Sequence, residues 1–200
     1  IQILNCGIMI KHLSSLVDLA KNKQKRKIAV AAAGDRHVLQ AIAKACEEGI
    51  VEPILVGDKI DITRIAEEIG FDITNIEVID IPDPYDASLE ATRLTSEGKA
   101  NIIMKGLVST GLLLKAVLNK DFGLRTGSLL SHVALFETPY YHKLLGVTDA
   151  AMNVDPGLEE KIDILKNAVA VFHAIGNPNP KVAILGSVET INPKMEATMH

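Results

Sequence analysis

The sequence predicts an α/β protein in which parallel strands alternate with covering helices. Short apolar segments recur through the first half of the chain, and a helical pattern long enough for a crossover follows each of them. Because such βαβ crossovers are right-handed, we expect helices on both faces of a largely parallel sheet. The composition, 48% hydrophobic and 23% charged, is that of an ordinary soluble globular protein.

Strand and helix patterns alternate in a regular order as far as residue 118. The predicted strands are buried apolar runs or alternating segments at residues 28–33, 54–56, 76–81 and 102–104. The predicted helices carry apolar side chains at three- and four-residue spacing at residues 13–20, 38–46, 62–69, 87–97 and 112–118. Gly49 and Gly70 end the second and third of these helices.

The pattern changes after Phe122. Residues 127–136 and 144–148 predict strands, and no helix directly precedes the first of them. Asp155 as N-cap and Pro156 at the first helical position predict a helix that Gly176 closes. A further strand at 181–185 and a helix from Pro193 are expected next. We therefore predict a first α/β domain at residues 9–130 and the beginning of a second at 131–200.

The two ends of the chain are unusual. Residues 1–8 have no helical pattern and no basic n-region, so we interpret them as an upstream extension or cloning scar. The last helical pattern reaches His200 without a glycine or proline stop signal. We therefore expect the protein to continue beyond His200, with the second domain incomplete here.

Charge and cysteine content narrow the function classes. The net charge of −4 gives no electrostatic reason to expect nucleic acid or an anionic membrane as a partner. No apolar run approaches the ~20 residues that span a bilayer. Cys6 and Cys46 lack metal-ligand spacing, which favours a reduced, cytoplasmic location. Cys46 lies on the apolar face of a predicted helix and is expected in the core.

The strongest local signal is the segment ANIIMKGLVSTG at residues 100–111. A buried strand runs into Lys105 and Gly106, and Ser109 and Thr110 then begin a helix. Free first-turn N–H groups, the helix dipole and the lysine charge together predict a seat for an anion. The alternative is that Ser109 or Thr110 only caps the helix and Lys105 points to water. Ligands of parallel sheets bind beyond the carboxyl ends of the strands, where residues 34–36 are also expected.

Four motifs resemble those of the phosphate acetyl/butyryl transferases, most closely the phosphate butyryltransferase branch. They are KGLVSTG (105–111), the pair Ser131–His132, TDAAMNVDP (148–156) and PKVAILGSVE (180–189). The resemblance covers residues 9–200. It implies two α/β domains with the active site in the cleft between them, similar to the isocitrate/isopropylmalate dehydrogenase-like fold.

The resemblance also implies an activity, which is reversible acyl transfer between coenzyme A and inorganic phosphate through an acyl phosphate. Coenzyme A is then a substrate, and no cofactor or metal is expected. We expect a cytoplasmic homo-oligomer. The catalytic residues of the family, a serine–arginine pair and an aspartate, are expected beyond His200, so none is assigned within this chain.

The substrate-binding residues that we predict are hydroxyl, amide or ammonium groups near strand ends and exit loops: Lys105, Ser109, Thr110, Ser131, Asn153 and Ser187. Alternatives stay open for several of them. Asn153 can simply hold the turn before Pro156, and Ser187 can be an ordinary loop hydroxyl. Asp149 is either a site residue or a cap of the next turn. His132 is expected to be a hydrogen-bonded core residue rather than a general base.

Two other classes of protein remain as alternatives. One is a dehydrogenase of the same cleft fold, which would need a nicotinamide site and metal-binding histidines. The six histidines form no close metal-ligand pair, and no G-x-G-x-x-G motif is present. The other is a non-catalytic module that binds acyl phosphate or coenzyme A.

Overall fold

The computed structural model of the chain describes residues 10–186, 188, 190–195, 198 and 199. Its packing divides the chain into two compact units. One unit holds residues 19–126, and the other joins the described residues from 127 onward to residues 10–18. The division predicted from the sequence counted residues 9–18 with the first domain. Helix α1 (Leu13–Lys21) carries the chain across the division in sequence.

The 19–126 unit contains a four-stranded parallel sheet in the order β3-β2-β1-β4. Its strands are β1 (Arg26–Ala31), β2 (Val51–Gly57), β3 (Glu77–Asp80) and β4 (Ile102–Lys105). The helices that follow them are α2 (Arg36–Glu47), α3 (Lys59–Ile69), α4 (Pro84–Ser96) and α5 (Thr110–Val117). The predicted parallel α/β fold is confirmed for this unit.

Helices cover the sheet on both faces. Along β1 the side chains alternate, so that Ile28 and Val30 join a cluster with α2 and α3. Ala29 and Ala31 join the opposite cluster, which contains Ala87, Ala91 and Leu94 of α4. All four of these β1 residues are buried. The continuous apolar strands of the sequence therefore reflect a sheet that is packed on both sides.

Strand β1 lies two residues earlier than the predicted range of 28–33. Its ladder begins with the pair Arg26↔Val51 and ends with Ala31↔Val56. Ala32 then adopts a left-handed backbone with φ of 54°, which takes it out of the ladder. Strand pairing, which hydrophobicity does not record, decides these bounds.

Aspartate side chains begin the three helices that follow β1, β2 and β3. Asp35 accepts a hydrogen bond from the Val38 N–H at 3.0 Å, and Asp58 accepts from the Ile60 N–H at 2.8 Å. Asp83 caps α4 in the same way. These caps satisfy N–H groups that have no intrahelical partner. The helices α3 and α4 consequently start three residues before their predicted apolar stripes.

The second unit contains β5 (Val133–Phe136), β6 (Leu145–Thr148) and α6 (Leu158–Ala174). Its two strands pair antiparallel, in contrast to the parallel sheet of the 19–126 unit. Only residues 137–144 connect the strands. A parallel pair needs a crossover of about a dozen residues or more, which this connection is too short to provide.

Helix α6 begins at Leu158 instead of the predicted Pro156. Gly157 is its N-cap residue, and the Gly157 N–H donates to Oε2 of Glu160 at 2.9 Å. Asp155 is exposed outside the helix. A glutamate that reaches back from the third helical position therefore replaces the expected aspartate cap.

The strand expected at 181–185 is absent from the described residues, since 181–186 pair with no neighbouring strand. Val182, Ile184 and Leu185 are 53%, 78% and 91% exposed. A strand requires a neighbour for its N–H and C=O groups, and the described residues supply none here.

The helix predicted from Pro193 falls partly on residues 196, 197 and 200, which lie outside the described residues. Among those described, Pro193 and Lys194 form a turn, with the Met195 N–H bonded to the Asn192 carbonyl at 2.8 Å, and Thr198 has a 3₁₀ conformation.

None of the helices in the described residues has the length and apolar character needed to cross a bilayer.

Cys46 is half-buried and packs against the cluster of α2 and α3, and this burial raises the pKa of its thiol.

Glu137 holds the start of α1 from a distant position in the sequence. Its Oε1 accepts a hydrogen bond from His12 Nδ1 at 2.7 Å, and its Oε2 accepts from the Leu13 N–H at 2.9 Å. The helix dipole also favours a carboxylate at this end of α1. The His12 and Leu13 bonds hold the pKa of Glu137 below its ordinary value.

This pKa shift predicts a pH-dependent stability. A carboxyl with a depressed folded pKa contributes stability above its unfolded pKa and loses it as the pH falls through the folded value. Glu137→Gln should therefore lower Tm near neutral pH and reduce the Tm loss on acidification. Glu52→Gln, which changes an exposed carboxyl of β2, is the control in thermal unfolding from pH 7 to pH 3. Identical acid profiles for Glu137→Gln and the unmodified chain would contradict the prediction.

Candidate functional site

The carboxyl ends of β1 and β4 lie side by side. The register pairs Ala31 with Lys105, so both strands end at the same level. Beyond the ladder, the Gly106 N–H donates to the Ala31 carbonyl and the Leu107 N–H to the Ala32 carbonyl, each at 2.8 Å. The loop predicted as an anion seat is thus bonded to the end of β1, as expected for neighbouring parallel strands.

Gly106 permits this close approach. A Cβ atom at this position would overlap the carbonyl oxygens of Ala31 and Ala32. Backbone oxygens cannot move aside as a flexible side chain does, so the position admits no side chain without displacing the loop. The glycine in the KGLVSTG motif therefore has a packing role.

The Lys105 ammonium bonds to carbonyl groups of its own loop. Its Nζ donates to the Val108 carbonyl at 2.7 Å and to the Gly106 carbonyl at 3.2 Å. Val108 is buried in the cluster beneath α4. The ammonium therefore does not simply point to water, as one sequence interpretation held. An ammonium has three N–H donors, and these two bonds leave one for an anion.

Ser109 and Thr110 stand at the start of α5. Ser109 is the N-cap, and its Oγ accepts from the Leu112 N–H at 3.3 Å, which supports the capping interpretation. Thr110 is the exposed first helical residue. Capping uses Ser109 as an acceptor and leaves its O–H donor available, together with first-turn N–H groups. Cap and anion seat are therefore compatible at this helix end.

The charged side chains of residues 34–36 form contacts with helices. Asp35 caps α2, as described above. Arg36 bonds to Glu68 of α3 through its Nη2 atom. The structure thus places this loop at the expected sheet edge, with its charged side chains directed to helices.

A second group of polar residues lies in the other unit, around the loops before β5 and after β6. Asp149 has a left-handed backbone with φ of 50°. Its Oδ1 accepts from the His132 N–H at 3.2 Å and its Oδ2 from the Asn153 N–H at 3.0 Å. The Asn153 Nδ2 donates to the Leu130 carbonyl at 3.1 Å. Asp149 therefore ties the two loops together, and its bond to the Asn153 N–H supports the alternative that it caps the turn after β6.

Helix α6 supplies two residues to this group that the sequence reasoning missed. Asn167 Nδ2 donates to the Leu129 carbonyl and to Ser131 Oγ, both at 2.9 Å. Asp163 Oδ2 accepts from the Leu129 N–H at 3.3 Å. The available signal was their spacing, since an acid and an amide four residues apart share one helix face. Both are half-buried.

The remaining predicted residues have plain outcomes. His132 is exposed directly before β5, so its expected core position is wrong. Its backbone N–H and carbonyl, rather than its ring, bond to Asp149. Ser187 lies outside the described residues. Within the part of the chain that the structure describes, no three histidine, cysteine or acidic residues are placed to hold a metal ion.

The predicted site residues thus form two groups, one in each unit. Lys105, Ser109 and Thr110 lie together beyond β4, whereas Ser131 and Asn153 lie in the Asp149 network. The first group combines a loop at the carboxyl end of a parallel sheet with a helix start and a lysine, and the helix dipole and the ammonium both favour a negative charge there.

Comparison with known proteins names the family. The sequence model of the phosphate acetyl/butaryl transferase family matches residues 12–85 and 83–200. The chain therefore belongs to the phosphate acetyl/butyryl transferase family, as its four motifs indicated.

Individual relatives agree. The chain is 49% identical over 191 residues to a phosphate butyryltransferase of Clostridium acetobutylicum, covering 96% of this chain and 64% of the relative. It is 41% identical over 188 residues to a phosphate acetyltransferase of Thermotoga maritima, covering 94% and 63% respectively. The chain thus spans just under two thirds of the length of these relatives.

Solved structures show the same fold. A branched-chain phosphotransacylase from Enterococcus faecalis superposes with a TM-score of 0.69 at 29% identity, covering 86% of this chain and 60% of that one. A phosphotransacetylase from Streptococcus pyogenes gives a TM-score of 0.72 at 19% identity, covering 93% and 67% respectively, and supports the fold alone.

The contact at Gly106 leads to a paired prediction. Gly106→Ala should lower the free energy of unfolding by about 1–3 kcal/mol, because the methyl group meets two carbonyl oxygens. Gly111→Ala lies five residues further on, where a Cβ atom meets nothing within 4 Å. It should be neutral or stabilise the helix by up to about 1 kcal/mol. Chemical denaturation of both variants tests this, and equal losses would contradict it.

Proposed function

We propose that the complete protein transfers a short acyl group, butyryl or similar, between coenzyme A and inorganic phosphate. The observation that carries this proposal is the 49% identity to a phosphate butyryltransferase across 96% of the chain. Because the chain spans 64% of that relative, the activity is proposed for the whole protein. The proposed fold of the whole is two α/β domains, similar to the isocitrate/isopropylmalate dehydrogenase-like architecture.

The reaction makes simple chemical demands. In one direction the thiolate of coenzyme A attacks the carbonyl carbon of the acyl phosphate, and the bond from that carbon to the phosphate oxygen breaks. Phosphate leaves with the bonding electron pair, and the thioester remains. In the other direction a phosphate oxygen attacks the thioester, and the thiolate leaves. The protein has to orient the carbonyl and stabilise the phosphate charge.

The group beyond β4 suits the phosphate. We assign the phosphoryl oxygens to the Ser109 and Thr110 hydroxyls, the first-turn N–H groups of α5 and the remaining N–H donor of Lys105. Helix dipole and ammonium both favour a negative charge at this place. The bonds from Lys105 to its loop support the assignment, because they hold the charge beside the helix start.

The remaining predicted residues are proposed to orient the acyl phosphate. Ser131 and Asn153 are uncharged donors held in one network, which suits a carbonyl or phosphoryl oxygen. Ser187 is assigned the same role from its motif in the sequence.

The activity itself gives a direct test. The complete protein should release free thiol from butyryl-coenzyme A only when inorganic phosphate is present, without added metal or nicotinamide. A thiol-reactive chromophore measures the rate. Equal release without phosphate would indicate a thioesterase, and binding of butyryl-coenzyme A without turnover would favour the non-catalytic module.

The phosphate seat can be tested by removing its hydroxyls. The double change Ser109→Ala with Thr110→Ala should raise the KM for phosphate at least about tenfold, since a hydrogen bond to a charged group is worth about 1.5–3 kcal/mol. Loss of the cap should cost only about 1 kcal/mol of stability.

Asp83→Ala is the matched control for this experiment. It removes the side-chain cap of α4, which follows the strand at the other edge of the sheet. Its stability should fall by a similar amount with the KM for phosphate unchanged. If both variants alter stability alone, Ser109 and Thr110 are structural caps.

A further inference from the structure

The hydroxyl of Ser131 has a defined partner on one side. Asn167 of α6 bonds to it through Nδ2 at 2.9 Å, and the same Nδ2 bonds to the Leu129 carbonyl at 2.9 Å. A backbone carbonyl only accepts hydrogen bonds, so the Asn167 amide must present its nitrogen, not its oxygen, to Leu129. This contact settles the orientation of the amide group.

The amide orientation determines the direction of the hydrogen bond between Asn167 and Ser131. The two N–H groups of Nδ2 serve Leu129 and Ser131, so Ser131 Oγ accepts from Asn167. Its own hydrogen therefore points elsewhere. Among the residues that the structure describes, none accepts a hydrogen bond from the Ser131 hydroxyl.

The backbone around Ser131 is held from two directions. Asp163 and Asn167 of α6 bond to both the N–H and the carbonyl of Leu129. Asn153 bonds to the Leu130 carbonyl, and Asp149 bonds to the His132 N–H. Ser131 is thus a single half-buried hydroxyl in a segment whose neighbours on both sides are tied down.

We propose that Asn167 is a positioning residue that directs the Ser131 O–H away from α6, so that this hydroxyl donates to an oxygen of the acyl phosphate. This inference rests on the proposed function. Both the carbonyl and the phosphoryl oxygens of an acyl phosphate are acceptors only, so a hydroxyl whose hydrogen points away from Asn167 matches them. A free serine hydroxyl would instead be able to turn its lone pairs toward the ligand, at a cost in binding.

A double-mutant cycle tests this coupling in the complete protein, with butyryl phosphate varied and coenzyme A saturating. Ser131→Ala and Asn167→Ala should each raise the KM for butyryl phosphate about tenfold, with a smaller change in kcat. The double variant should also show about a tenfold increase, because Asn167 acts through a hydroxyl that is no longer present. Independent roles would give the product of the two effects, about a hundredfold, and would overturn the inference.

Two further variants separate polarity from general loosening of the segment. Asp163→Ala removes the other α6 contact to Leu129 and leaves Ser131 untouched, so it should lower Tm with little change in KM. Asn167→Asp keeps the size of the side chain but accepts from Ser131, so it should raise the KM at least as much as Asn167→Ala. It also serves if the alanine variant fails to fold.

The charge introduced by Asn167→Asp is controlled by repeating it in the Ser131→Ala background. There it should have no further effect on KM. A KM increase in Asp163→Ala equal to that of Asn167→Ala, or a persistent effect of Asn167→Asp without Ser131, would overturn the inference. If the unmodified protein turns over and the effects of the two single variants on KM multiply in the double variant, only the role of Asn167 is rejected. Absence of turnover in the unmodified protein rejects the proposed function as well.

Discussion

The pairing of β1 with β4 is the constraint on which the candidate phosphate site depends. The register Ala31↔Lys105 ends both strands together, and two backbone bonds then carry the KGLVSTG loop over the end of β1. This approach succeeds only because residue 106 has no side chain. Lys105 follows from the same geometry, since a loop held this close turns its carbonyls toward the ammonium. The close approach at Gly106 therefore depends on the register of the sheet, and Lys105 and the capping Ser109 lie in the same loop and helix start.

The Asp149 network of the other unit is organised differently. Here no sheet end supplies the frame, since β5 and β6 form only an antiparallel pair. Side chains hold the loops in place instead. Asp149 in a left-handed backbone bonds to both flanking loops, and α6 contributes Asn167. Buried or half-buried polar networks of this kind restrict the orientation of every member, because an unpaired donor or acceptor there is costly.

Much of the fold could be predicted from periodicity and turn residues. The continuous apolar runs in the first half predicted a parallel sheet covered on both faces, and the loop at 105–110 was expected at its carboxyl edge. The predicted strand at 181–185 is absent from the described part of the chain for a physical reason. An apolar run indicates only a preference for burial, whereas a strand also needs a neighbouring strand for its hydrogen bonds. The start of α6 was predicted from Asp155 and Pro156, whereas the backbone geometry makes Gly157 the N-cap residue, with Glu160 bonded to its N–H.

Whether a feature could be predicted from the sequence depends on how far apart in the chain the interacting residues lie. Local interactions, such as the period of apolar residues and the family motifs, involve neighbouring residues and could be predicted from the chain itself. The aspartate caps at Asp35, Asp58 and Asp83 are equally local, but only the structure identified them. Contacts between distant residues could not be predicted in this way. Asn167 meets Ser131 across 36 positions and Glu137 meets His12 across 125. No local pattern encodes such pairs, because they form only when packing has brought separate segments into hydrogen-bond distance.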